Sequence, residues 1–124
     1  MFQNRMSVQN DLIGIAMQAS SLTNDVLQNN IANVDVPNFK RSAVVFDTVF
    51  QGVVADARNT GVLHRDRIEP RMVTQYRNLS HRIDGNNVDI ETEMAALYQN
   101  SVRFDVMAAM LSNNSRRNSL AFQQ

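Results

Sequence analysis

Apolar residues in the first third of the chain recur at the spacing of a helix that packs along one face. Between residues 7 and 33 they follow alternating steps of four and three, which is a heptad pattern. Gly14 lies inside this segment and costs about 1 kcal/mol relative to alanine, but the pattern continues on both sides of it. The sequence therefore predicts one long helix here, with a seam formed by Val8, Leu12, Ile15, Ala19, Leu22 and Val26.

The last third of the chain shows the same spacing between residues 89 and 119. Asp89 is a suitable N-cap, and Glu91 and Glu93 place negative charge in the first turn, where the helix dipole stabilises it. A second long helix is therefore predicted. Ser101 is the one polar step in its seam, which is formed by Ile90, Met94, Leu97, Phe104, Ala108 and Leu111.

The middle of the chain, residues 36–87, has no helical period. Both prolines and three of the four glycines lie here, and residues 40–82 carry eight basic and four acidic side chains. Three short segments, residues 42–46, 61–68 and 72–77, have the composition of β-strands. The sequence predicts an extended, loop-rich segment with these strand candidates, between helical segments that occupy residues 1–35 and 88–124.

The predicted fold is mainly α, with the two long terminal helices pairing as an antiparallel coiled coil. The apolar faces of both helices are wider than one partner helix covers, because residues such as Ala16 and Val106 lie beside the seams. Such a hairpin buries too little apolar surface to offset the entropy of ordering its residues. We therefore expect helices of other chains to cover the remaining apolar surface.

The composition of the chain argues against several classes of function and of binding site. The length of 124 residues suits one domain, and the formal net charge of zero provides no long-range attraction to nucleic acid or anionic lipid. The absence of cysteine excludes disulfides and thiolate metal sites. No apolar run predicts a cleavable secretory signal or a membrane span. Asparagine and glutamine together number 24, which suits either many uncharged hydrogen bonds or a solvated helix surface.

No residue pattern indicates catalysis or ligand binding. The only histidines, His64 and His81, have no second ligand at metal spacing. Glu91 and Glu93 are two positions apart on a helix, so their side chains point in different directions and cannot act as a carboxylate pair. The arginine-rich middle lacks the aromatic residues that nucleic-acid modules interleave with basic ones. We predict no enzyme, no cofactor and no metal site.

The end of the first predicted helix carries the most specific motif. Residues 29–33 read Asn-Asn-Ile-Ala-Asn, and residues 37–40 read Pro-Asn-Phe-Lys. Asparagine tolerates the left-handed backbone of a helix end, and Pro37 prevents the helix from continuing. The string resembles the N-terminal signature of the bacterial flagellar rod, hook and hook-associated axial proteins. It departs from that signature at Val36, where threonine is usual, and at Asn38, where glycine is usual, which bears on the tightness of the turn.

A second motif, residues 82–94, begins as a turn and continues as a capped helix. A calcium loop is a poor match, because Gly85 is second instead of sixth and Ala95 stands where a glutamate is required. The string resembles the C-terminal signature of FlgB-type rod proteins, in which Gly-Asn-Asn-Val and an acidic pair open the terminal helix. The resemblance covers both terminal thirds of the chain and is weak in the middle.

The two aromatic residues Phe46 and Phe50 lie four positions apart in the middle segment. This spacing resembles the short hydrophobic motif by which rod and hook subunits dock on the FlhB gate of the flagellar type III export apparatus. Ordinary packing of the two rings within the middle segment explains the pattern equally well. Both interpretations stay open at this point.

The resemblance implies a structural subunit of the proximal rod of the flagellar basal body, whose helices pack into a tubular drive shaft. The implied partners are copies of the chain itself and rod proteins of the FliE, FlgC and FlgF types, with no nucleic acid, small-molecule substrate or direct membrane span. The implied location is the periplasmic rod, reached by type III export without a cleaved signal peptide. The expected assembly interface comprises Leu12, Ile15, Leu22, Val26, Asn29, Asn30, Asn33, Met94, Leu97, Phe104 and Leu111.

Two alternative functions remain open. Another rod subunit, of the FlgC type, shares the first motif, but the second motif favours the FlgB type. A helical adaptor or export chaperone that stays in the cytoplasm would also be built from amphipathic helices. Detection in purified basal bodies would separate a rod subunit from such an adaptor.

Overall fold

The computed structural model describes residues 2–76 and 82–123, apart from the side chains of residues 2–4, 48, 49 and 65. Three α-helices and one two-stranded sheet are formed in this part of the chain, and a short 3-10 helix (Arg65–Arg67) precedes the second strand. In chain order the elements are α1 (Phe2–Ala32), β1 (Ser42–Val45), α2 (Asp47–Thr60), β2 (Arg71–Thr74) and α3 (Ile90–Ala121).

The long helices α1 and α3 pack against each other and form the body of the molecule. They run antiparallel, because side-chain contacts join Asn10 to Asn114 near one end of the pair and Asn30 to Glu93 near the other. Both long helices are confirmed at close to their predicted bounds. The mainly helical fold class is thus confirmed. Coiled-coil geometry for the pair stays a prediction.

The buried face of α1 is offset from the predicted seam. Ala19 and Val26 are buried, as predicted, and the other four seam residues are half-buried. Two apolar residues that lie outside the seam, Ile13 and Leu27, are buried as well. The offset arises because polar residues, including Ser20, occupy inward positions that a pattern of apolar residues assigns to the surface.

The predicted seam of α3 is wrong at its beginning. Ile90 and Met94 are 43% and 56% exposed, whereas the buried residues of the helix are Glu93 and Asn100. Both buried residues are polar and find hydrogen-bond partners on the facing helix. The inward face of α3 is therefore partly polar, and part of its apolar surface faces outward.

The strand predictions for the middle segment are confirmed in two of three cases. β1 and β2 pair antiparallel in the register Ser42↔Thr74 to Val45↔Arg71, and β1 also packs against α1. The predicted strand at residues 61–68 is wrong, because this stretch contains loop and the 3-10 helix, and Ile68 within it is buried. Residue 77, the last of the third candidate, and His81 lie outside the described residues.

Helix α2 was not predicted in the middle segment. Its apolar residues Phe50, Val53, Val54 and Ala57 do follow a helical spacing, and Val53 is buried. The glycine content of this region and the 14-residue length of the helix obscured the signal. Gly61 ends the helix with a φ of 73°, a left-handed conformation typical of a helix C-terminus, and its N–H donates to the carbonyl of Ala57 at 2.8 Å.

Among the helices in the described ranges, none has an apolar stretch long enough to cross a lipid bilayer.

Candidate functional site

The two motif segments, residues 29–41 and 82–94, contact each other at the closed end of the α1–α3 hairpin. We call this joined region the clasp. The N–H of Asn38 donates to the carbonyl of Asp84 at 2.8 Å, and the N–H of Asn87 donates to the carbonyl of Phe39 at 3.3 Å. The Lys40 ammonium also donates to the carbonyl of Gly85. The two strings that carry the family resemblance therefore form one structural unit.

The buried side chain of Asn86 holds the turn that follows α1. Its Nδ2 lies 2.9, 3.0 and 2.8 Å from the carbonyl oxygens of Asn33, Val34 and Val36. Its Oδ1 accepts from the N–H of Val88 at 2.8 Å. These carbonyls belong to the turn that follows Ala32, the last residue of α1. Asn86, only 1% exposed, thus binds this turn from the other motif.

A tight turn on each side completes the clasp. Asn38 has a φ of 60°, and Gly85 has a φ of 75°. Asparagine tolerates this left-handed region better than other residues with a side chain, so Asn38 adopts the turn for which the family signature has glycine. A Cβ at Gly85 would lie 2.5 Å from Oδ1 of Asn38. The left-handed backbone at position 85 therefore favours glycine, and an added Cβ would also force the Asn38 side chain to shift.

Glu93 anchors a buried polar cluster beside the clasp. The carboxylate is 1% exposed and accepts from Nε of Arg41 at 2.5 Å and from Nδ2 of Asn30 at 3.1 Å. The Arg41 guanidinium also donates to the side-chain carbonyl of Gln75. A buried carboxylate is tolerated when it is paired and hydrogen-bonded. The cluster links α3 to α1 and to the segments that flank the sheet.

Asn30 fixes strand β1 on helix α1. This side chain is completely buried; its Oδ1 accepts from the N–H of Ser42 at 2.9 Å and its Nδ2 donates to the carbonyl of Ser42 at 2.8 Å. The amide thus pairs with the strand backbone as a neighbouring strand would. One asparagine of the first motif therefore joins three elements: α1, β1 and, through Glu93, α3.

Two further polar layers cross the hairpin away from the clasp. In the first, Oγ of Ser20 donates to Oδ1 of Asn100 at 2.8 Å, and Nδ2 of Asn100 donates to Oδ1 of Asn24 at 2.8 Å. In the second, Nδ2 of Asn114 donates to Oδ1 of Asn10 at 3.0 Å. Polar pairs of this kind, buried at Ser20–Asn100 and half-buried at Asn10–Asn114, favour one register of the packed helices, because a shifted register leaves them unpaired.

At the beginning of α3, the Asp89 side chain accepts from the N–H groups of Glu91 and Thr92 at 3.1 and 3.4 Å and from the Thr92 hydroxyl at 3.0 Å. These bonds, the Thr92 hydroxyl first among them, lower the pKa of Asp89. The predicted N-cap is confirmed.

The predicted assembly residues fall into three groups. Val26 and Asn30 are buried within the subunit, and Asn29 and Met94 are exposed. The other seven are half-buried: Leu12, Ile15, Leu22, Asn33, Leu97, Phe104 and Leu111. As for the candidate export motif, Phe46 and Phe50 are half-buried, and their rings stack with centroids 5.0 Å apart.

An exposed apolar ridge on α3 was missed by the sequence analysis. Its residues follow one another in steps of four and form one of the rows by which packed helices interdigitate. The sequence contains this uninterrupted i, i+4 series, but the heptad interpretation assigned its first two residues, Ile90 and Met94, to the inward face. The ridge, 43–73% exposed at its six positions, consists of Ile90, Met94, Tyr98, Val102, Val106 and Met110.

No family model matches the chain. Curated relatives to which it is similar include two that are both named flagellar basal body rod protein FlgB. The protein from Borrelia hermsii is 32% identical over 111 residues, which cover 77% of this chain and 82% of that protein. The protein from Bacillus subtilis is 29% identical over 110 residues, which cover 85% of this chain and 84% of that protein. On the strength of this similarity along most of its length, the chain belongs to the FlgB family of flagellar basal body rod proteins.

Proposed function

We propose that this protein is a structural subunit of the proximal rod of the flagellar basal body. The observation that carries the proposal is the exposed apolar ridge of α3, taken together with membership of the FlgB family. Large apolar side chains exposed in a continuous row mark a surface that another protein covers. Helices of neighbouring rod subunits have the complementary shape, because rows of side chains four residues apart pack into the grooves of facing helices.

The subunit acts mechanically and not as an enzyme. The polar layers and the clasp hold α1 and α3 in one register, so each subunit presents its ridge in a fixed geometry. The two helices pair as an antiparallel coiled coil within the subunit, and contacts between unlike surfaces of neighbours extend the assembly into a tube. Such a tube transmits torque because its subunits are rigid and its contacts repeat.

The partners that we propose are copies of the chain and rod proteins of the FliE, FlgC and FlgF types. The subunit reaches the periplasmic rod through the type III export apparatus without a cleaved signal peptide. Phe46 and Phe50 dock on the FlhB gate during export, while the chain is unfolded. In the folded subunit the same rings stack on each other, so the export role and the packing role belong to different states of the chain.

The proposal is tested by placing a charge on the ridge. Val106 is 53% exposed, so Val106→Asp leaves the hairpin core intact and disrupts only packing between subunits. In cells that lack the native subunit, we expect the variant to be exported but to build no rods, which is measured by basal-body purification and by motility. Ser112→Asp is the matched control, because it adds the same charge at an exposed position of α3 outside the ridge. Motile cells with Val106→Asp would contradict the proposal.

Localisation separates the rod from the two alternatives. The native subunit is expected in purified basal bodies, and its antibody label is expected at the proximal end of the rod. Recovery only from the cytoplasm would favour the adaptor or chaperone, and a label elsewhere along the rod would favour a different rod subunit.

A further inference from the structure

A small cleft lies between α1, β1 and α3. Its volume is about 210 Å³, and its walls include Ala43 on β1, Ala96 on α3 and Val26 on α1. The small side chains on two sides leave room for one large side chain from outside. Arg41 and Arg103 also line the cleft, and because Glu93 neutralises Arg41, the remaining positive charge is that of Arg103. In the described part of the chain Arg103 forms no salt bridge, and the Arg41 guanidinium is paired with Glu93.

Another face of α3 is complementary in shape and charge. Tyr98 is 73% exposed, more than any other apolar or aromatic residue of the ridge. Glu91 and Asp105 lie seven positions before and after it. Residues seven apart share one side of a helix, and the spacing corresponds to about 10 Å along the axis. One aromatic ring with a polar tip thus projects between two exposed carboxylates.

We propose that the Tyr98 face of one subunit docks into the cleft of a second copy of the same chain, an inference that rests on the proposed rod function. The Tyr98 ring enters between Ala43 and Ala96, and its face is available to the guanidinium of Arg103, which packs favourably on aromatic rings. The carboxylates of Glu91 and Asp105 lie on either side and compensate the positive cleft. Opposite charges on the two surfaces also align them as they approach.

The two surfaces of one subunit do not compete. Arg103 follows Tyr98 by five positions, which places it about 140° further around the helix. A subunit therefore receives the Tyr98 of one neighbour while its own Tyr98 enters the cleft of the next. A contact between two unlike surfaces does not close into a pair, and its repetition builds a ring or an open helix of copies. This property distinguishes the proposed contact from a symmetric dimer.

Disulfide trapping tests the contact directly. The chain has no cysteine, so two full-length variants with one cysteine each, Ala43→Cys in the cleft wall and Ala95→Cys beside Tyr98, are mixed and oxidised. We expect a mixed disulfide dimer, identified by mass. Adding Tyr98→Ala to the Ala95→Cys protein is expected to lower the yield about tenfold or more, as truncating a central aromatic residue of an interface does. Tyr98→Phe is expected to retain most of it.

Two matched controls define the background of this experiment. Ala55→Cys places a thiol at an exposed position of α2 and is expected to give no mixed dimer with Ala43→Cys above random collision. Tyr76→Ala removes a tyrosine of similar exposure, 76%, from the end of the strand region. It is expected to leave the yield of the Ala43→Cys and Ala95→Cys pair unchanged.

Charge exchange in the same assay tests the electrostatic part of the inference. Arg103→Glu in the cleft protein, or Glu91→Lys with Asp105→Lys in the Tyr98 protein, is expected to reduce the mixed dimer. Combining the two changed proteins is expected to restore it, since the charges are again opposite. Circular dichroism of each variant checks that the helices remain formed.

The inference is overturned if the Ala43→Cys and Ala95→Cys pair gives no more mixed dimer than the Ala55→Cys control. It is also overturned if the two charge changes together lower the yield further. Neither result would affect the rod proposal, whose test uses Val106 and readouts in cells. Conversely, trapping of the mixed dimer together with motile Val106→Asp cells would retain the Tyr98 contact between copies and contradict rod packing through Val106.

Discussion

Asn86 provides the most direct test of the clasp. Replacing it by alanine removes an amide that contacts three carbonyls and accepts one N–H, all at 2.8 to 3.0 Å. The two hydrogens on Nδ2 and the acceptor Oδ1 amount to three hydrogen bonds, each contributing roughly 0.5–1.5 kcal/mol to stability. The carbonyl of Val34 retains a bond from Arg82 at 2.6 Å, which reduces the loss. We therefore expect Asn86→Ala to destabilise the protein by about 3 kcal/mol.

The measurement is urea denaturation of the full-length protein followed by circular dichroism at the helix band. Asn113→Ala is the matched control, because Asn113 is an exposed asparagine of α3 and surface substitutions change stability by less than about 0.5 kcal/mol. Asn86→Asp keeps the acceptor for Val88 but turns a second oxygen toward the carbonyls, so at neutral pH it is expected to destabilise more than alanine. If Asn86→Ala unfolded at the same urea concentration as Asn113→Ala, the clasp would not stabilise the hairpin.

Three further predictions address the turn, the helix cap and export. Gly85→Ala is expected to destabilise by roughly 1–3 kcal/mol, and Asn38→Gly in the same chain is expected to restore part of the loss, measured as a double-mutant cycle. The Thr92 hydroxyl lowers the pKa of Asp89 in the folded protein. The N-cap therefore stabilises α3 fully at pH values above the pKa of an unfolded aspartate, and this stabilisation is lost as pH falls through the folded pKa of Asp89. Thr92→Ala is expected to raise the folded pKa of Asp89, measured by NMR titration. Changing Phe46 and Phe50 together to alanine is expected to retain the subunit in the cytoplasm, whereas Val106→Asp is secreted; normal secretion of the double variant would assign the two rings to packing alone.

The elements that local sequence specifies were predictable. The long helices have many periodic positions, and α3 has an N-cap at Asp89 whose side chain bonds the first turn. β1 was predictable because Val44, Val45 and Phe46 are residues that favour strands and follow the turn at Pro37. Helix α2 was missed since Gly52 and its short length weakened the pattern. The observed inward faces of α1 and α3 differ from the predicted seams because Ser20, Asn30 and Asn100 are buried within the hairpin. The spacing of apolar residues cannot predict that a polar side chain is buried.

The clasp could not be predicted from local pattern, because its contacts join residues far apart in sequence. Arg41 and Glu93 form their pair across 52 positions, and Asn86 reaches Asn33 across 53. Neither motif by itself contains a signal for the other. Only the joint presence of both motifs, recognised as a resemblance, indicated that they belong to one architecture.

The motif residues and the exposed apolar residues of α3 have different roles for a physical reason. Three polar motif residues, Asn30, Asn86 and Glu93, are buried and form their hydrogen bonds inside the subunit. A side chain that is completely buried inside the subunit is not accessible to a neighbour. We therefore expect contacts between subunits at side chains that the fold leaves uncovered, such as Tyr98 and Val102 on α3. We therefore expect the buried motif residues to specify the shape of the subunit, and the exposed ridge of α3, which begins within the second motif at Ile90 and Met94, to contact its neighbours.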